Sequence, residues 1–176
     1  MTPYGQAFKQ KLYGFFKRGK NETKNPGKPE KSLEPTELEK LVYESDITKD
    51  LSREVKEKIY GDLSCIPLRN DNVRKSDLST LLEEAKKYET EGKSFKTGEA
   101  YWMAAGRTLP DDTVPLDDVL GFLENASKFC FMQGYPFSTI RDPAIKSIAR
   151  QIAQAYLKDY KPPVEEKKSD ISELTK

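Results

Sequence analysis

The chain has 176 residues, 36% hydrophobic and 34% charged, with a formal net charge of +1 and no histidine. A length of this order suits one domain with tails. Without histidine there can be no Ser-His-Asp or Cys-His catalysis and no histidine-ligated zinc or iron site, which leaves carboxylate chemistry as the enzymatic class still open.

Near neutrality hides an asymmetry. Residues 1–31 hold eight lysines and arginines against Glu22 and Glu30, a balance of +6, so the remainder carries 22 basic and 27 acidic groups, a balance of −5. A basic arm on an acidic body is the better description. Cys65 and Cys130 stand alone, without metal or redox spacing. No run approaches the roughly 18 apolar residues of a membrane span, and the first residues lack the apolar core of a secretory signal. A cytoplasmic protein with reduced thiols is expected.

The first predicted element is an amphipathic helix over residues 3–18. Tyr4, Phe8, Leu12, Phe15 and Phe16 share one face, and Lys9, Lys11, Lys17 and Arg18 surround it. Such a face calls for burial against the body, a partner protein or an anionic membrane surface. Nucleic acid would need chiefly the charges, so the apolar cluster makes it the weaker reading. Residues 19–34, rich in proline, glycine and lysine, read as a flexible linker. Residues 1–34 are thus arm and linker, 35–161 an all-helical domain, and 162–176 a polar, disordered tail.

Within the body, Thr36 and Glu39 have capping-box spacing ahead of Leu38, Leu41 and Val42. Thr48 is expected to cap a second helix carrying Leu51, Val55, Ile59 and Leu63. The run ELEKLVYESDITKDLSREVKEKI is similar to the N-terminal helical domain of the signal-recognition GTPase family, where a comparable acidic turn joins two helices. That resemblance implies a helical hairpin and no activity. Gly92-Lys93-Ser94 lacks the leading glycine and the preceding strand of a phosphate loop and reads as a turn. Residues 64–76, with Pro67, read as a connection.

Two helices folded on each other follow. Leu78, Leu81, Leu82, Ala85 and Tyr88 recur at helical steps, Gly92 signals a C-cap and Ser94 an N-cap. Phe95, Gly98, Trp102, Ala105 and Leu109 form a second stripe, expected to fill the seam between the two helices, and Pro110 ends it. The order Ala85, Tyr88, Gly92, Phe95, Gly98, Trp102, Ala105 and Pro110 resembles a tetratricopeptide (TPR) repeat, with one residue inserted after Gly92. Ala126, Phe129, Gly134 and Tyr135 echo it at an offset of 41 residues. The resemblance implies an antiparallel helical hairpin that binds a segment of another protein in its groove. Ser79, Leu82, Lys86 and Glu89 would face that groove, with Phe131 and Met132 as further lining.

Asp111, Asp112, Asp117 and Asp118 flank Pro115. Divalent-metal binding is the weaker reading of this cluster, because Pro115 suits a first helical position and Asp117 and Asp118 suit a first turn. A helix apolar on most of its circumference is expected from Pro115 to Gln133. Asp142-Pro143 should open the last helix, with Ile145, Ile148, Ala149, Ile152 and Tyr156, and Pro162-Pro163 should end it. The chain therefore reads as an all-α adaptor, with about six helices besides the arm. It offers no catalytic residues, cofactor or metal, and peripheral membrane attachment through the arm is the second reading.

Overall fold

The computed structural model describes residues 36–161, apart from 130 and 134. The predicted arm, linker and tail, and with them Phe8, Lys9, Lys11, Leu12, Phe15, Phe16, Lys17 and Arg18, lie outside the described residues. Those described form an all-α fold, with eight α-helices, one 3-10 turn and no strand among them. The helices are α1 (Glu37–Tyr43), α2 (Arg53–Ser64), α3 (Asp71–Lys75), α4 (Leu78–Thr90), α5 (Ser94–Thr108), α6 (Leu116–Lys128), α7 (Ser138–Arg141) and α8 (Lys146–Leu157).

Capping explains several boundaries. At α1 the full capping box forms: Glu39 N–H donates to Thr36 Oγ1 at 3.2 Å, and Thr36 N–H to Glu39 Oε2 at 2.7 Å. Thr48, expected to cap α2, instead lies in the 3-10 turn Asp46–Thr48, where its buried hydroxyl donates to the Val42 carbonyl at 2.8 Å. Ser52 caps α2 in its place. The expected connection at 64–76 contains a helix, α3, because the Asn70 side chain accepts from Val73 N–H and one turn is enough to bury Val73. Gly92 has φ +69° between α4 and α5, the left-handed conformation for which glycine is suited. The residue capping α5 is Lys93, so Ser94 is already helical and makes no cap bond.

Helix α6 corrects two expectations. It stops at Lys128, five residues short of Gln133, because the chain turns into an irregular stretch where Met132 and Phe137 have φ of 51° and 43°. It is also one-sided: Val119, Leu123 and Ala126 are buried and Leu116, Leu120 and Phe122 half-buried against the core, while Asp117, Asp118, Glu124 and Lys128 are exposed. The last helix differs too. Asp142 makes a turn instead of a cap, its carboxylate accepting from Ala144 N–H at 2.9 Å, and α8 begins at Lys146. Ahead of it comes the unexpected single turn α7.

Helix α5 packs against both α4 and α6 and is the hub of the body. Its stripe of Ala100 and Ala104 is buried, and so, about 120° round the helix, is that of Gly98 and Ala105. Small residues on two faces let a neighbour approach closely on each side. The main core joins Leu38 and Val42 of α1, Ile59 and Leu63 of α2, Leu109, Leu123 of α6, Phe137, and Ile152 of α8. Trp102 is therefore misplaced by the expectation of a hairpin seam. It points away from α4, toward the Cys65 carbonyl and Phe131.

Candidate functional site

Phe95, Gly98 and Trp102 fall on one side of α5 by their spacing. Opposite them stands the stretch after α6. A Cβ added at Gly98 would lie 2.6 Å from Phe131 Cβ, 3.0 Å from the Ala126 carbonyl oxygen and 3.1 Å from that of Phe129. The missing side chain is what lets this stretch rest on the helix. Phe131 then sits between two aromatic rings, with centroids 5.1 Å from Phe95 and 5.0 Å from Trp102, both tilted. Such pairs contribute about 0.5–1.5 kcal/mol beyond burial. The indole is fixed at its other end, where Nε1–H donates to the Cys65 carbonyl at 2.7 Å. Next to this group Tyr101 stacks on Phe129, centroids 6.1 Å apart and 12° from parallel.

The outer member is open to solvent. Phe95 is 60% exposed, and Phe131, Trp102, Tyr101 and Phe129 are half-buried. Lys128 Nζ lies 5.2 Å from the Phe129 ring centre, while Lys96 and Lys93 lie 5.4 and 5.9 Å from that of Tyr88, on α4. Lys93 is also paired with Glu91 at 2.6 Å. The result is an aromatic surface open to solvent at Phe95, with one lysine, Lys128, over its Phe129 ring.

The sequence-predicted groove residues separate into two places. Ser79, Leu82, Lys86 and Glu89 share one side of α4, with Leu82 half-buried and the other three exposed. Phe131 belongs to the aromatic surface on α5, and Met132 packs against the main core. Phe95 was read as a seam residue and its exposure was missed. The signal was present in the next turn of its helix, since Gly98 and Glu99 offer no apolar cover.

Three of the four aspartates around Pro115 are engaged by other groups. Asp111 accepts from Thr113 N–H at 2.9 Å and from its hydroxyl at 2.6 Å, Asp112 accepts from Gln154 at 2.8 Å, and Asp117 pairs with Lys146 at 2.9 Å. Asp117 and Asp118 occupy the first turn of α6. No group of three or more candidate metal ligands occurs among the described residues, and none of their helices is long and apolar enough to cross a membrane.

One buried carboxylate holds the stretch that carries Phe131. Asp62 on α2 is 2% exposed and accepts from Thr139 N–H, at the start of α7, at 2.7 Å. Burial pushes its carboxyl above the ordinary value of 3.8, opposed by the Thr139 N–H and the Tyr135 hydroxyl. Burial also drives the Tyr135 hydroxyl well upward, with Cys65 and Asp62 adding to the effect, so it stays protonated. A carboxyl raised in the folded state stabilises below its unfolded pKa, and that contribution is lost as pH rises through the folded value. Asp62→Asn keeps an oxygen for Thr139 N–H and stays neutral. Thermal melts between about pH 4 and pH 7 should show the variant gaining on the parent as pH rises. An equal loss at every pH would contradict this assignment.

No protein-family model matches the chain, and neither a curated protein nor a solved structure matches it.

Proposed function

We propose that the body is a non-enzymatic adaptor that binds an apolar segment of another protein on the aromatic surface of α5. The observation that carries this reading is Phe95, 60% exposed on an ordered helix and seated against Phe131. Exposed aromatic side chains supply large contact area at small entropic cost and are enriched at interfaces. Lys128, over the Phe129 ring, favours an acidic residue beside the apolar ones in the partner. The hairpin of α4 and α5 with α6 packed on it suits the TPR-like reading, in which helices stack and present a surface to a peptide. Beside it, the mixed stripe of Ser79, Leu82, Lys86 and Glu89 would serve as a polar margin.

Phe95→Ser tests the proposal while leaving the helices folded, since it removes one exposed ring whose contact with Phe131 contributes about 0.5–1.5 kcal/mol. Intact chain and variant are compared as bait, with thermal melts run alongside. The expected result is a partner held by the parent and lost by a variant that still melts as a folded protein. Equal capture by both proteins would remove the aromatic surface from the binding site.

A further inference from the structure

On another part of the body, the ends of three helices leave a cleft of about 360 Å³ lined by Arg74, Arg107, Asp111, Gln154 and Lys158, with Pro110 and Leu157. Arg74 comes from the last turn of α3, Arg107 from the last turn of α5, and Lys158 caps α8. Three cations face one carboxylate, a surplus of two positive charges. That carboxylate, Asp111, accepts both donors of Thr113 and also feels the charge of Arg107, which it offsets only in part. Neither arginine has an ion pair among the described residues.

Their bonds to the protein are few. Arg74 Nη2 donates to the Gly106 carbonyl, and Arg107 Nε to the Ser76 carbonyl at 3.3 Å. Arg74 Nε is buried without a hydrogen-bond partner. Burial, followed by the like charge of Arg107, lowers the Arg74 guanidinium to about 10. Two guanidinium groups that repel each other across an open cleft, with Lys158 beside them and the single carboxylate of Asp111 opposing, form a receptor for an external dianion. Arginine's planar fork matches phosphate oxygens in pairs. A phosphate monoester carries about −1.5 to −2 at neutral pH, close to the surplus in the cleft.

We propose that the cleft between Arg74, Arg107 and Lys158 binds a phosphoryl group. The group belongs either to a small phosphate ester or to a phosphorylated side chain of a partner protein. Calorimetric titration of the intact chain separates these sources, using inorganic phosphate and a phosphoserine peptide as probes, with chloride holding ionic strength constant. At least one probe should bind at a single site. Arg107→Gln should weaken it about tenfold, the scale expected for losing a charge-assisted contact. Lys158→Gln, an exposed change, should weaken it in the same direction, and these two variants carry the test if Arg74→Gln does not fold. Tighter binding of the peptide than of inorganic phosphate assigns the group to a protein, and the reverse assigns it to a small ester. Binding of neither probe, or binding indifferent to Arg107→Gln, overturns the proposal.

Discussion

Gly98→Val should destabilise the body by about 3 kcal/mol, the upper part of the range for overpacking a close contact. The three atoms that a new Cβ would meet are the Phe131 Cβ and two main-chain carbonyl oxygens. None of them is the tip of a flexible side chain, so relief requires the backbone of 126–131 to retreat from α5. That movement would take Phe131 away from Phe95 and Trp102. Gly98→Ala should lie in the same direction and be smaller, because alanine returns about 1 kcal/mol of helix propensity. Chemical denaturation followed by circular dichroism measures both. A valine variant as stable as the parent would contradict the close approach.

Trp102→Ala should cost about 3 kcal/mol, the low end for removing a large aromatic, because the indole is only half-buried. Two contributions can be separated. Trp102→Phe keeps a ring against Phe131 but removes the donor to the Cys65 carbonyl, and should lose about 1 kcal/mol. Trp102 is the single tryptophan in the chain, so the parent's emission reports this site alone. Denaturation curves in which both variants match the parent would mean that neither contact stabilises the fold.

The fold class was legible because its signals are local. Helical periodicity, the Thr36–Glu39 box, Gly92 and Pro110 are each written within a few neighbouring residues, and they place α1, α4 and α5 closely. What was missed depends on distant partners. Helix α7 is a single turn whose second N–H, that of Thr139, is held by Asp62, 77 residues earlier, and no pattern inside Ser138–Arg141 announces it. The end of α6 was hidden by Phe129, Phe131 and Met132, which continue an apolar run although the backbone leaves the helix after Lys128. Trp102 and Gly98 were correctly grouped on one stripe. Periodicity fixes which residues share a face, however, and not which neighbour that face meets, so the stripe was assigned to α4 when it meets Phe131. The α5 surface was half visible for the same reason: Phe131 was chosen as lining, and Phe95 was placed inside.

Arg69 bears on how such a body holds together. Its guanidinium forks onto Glu37 at 2.6 and 2.7 Å, near the start of α1, and donates to the Tyr156 carbonyl near the end of α8, while Tyr160 donates back to the Arg69 carbonyl at 3.2 Å. One side chain thereby closes two loops, of 32 and 87 residues. Loop-closure entropy grows only with the logarithm of length, so the longer loop costs little more than the shorter, by roughly 0.6 kcal/mol per doubling. The α4–α5 hairpin can form from its own short turn, but this clasp exists only once the outermost helices have met. The first and last helices of the body are thereby coupled, and fraying at either end releases a contact of the other.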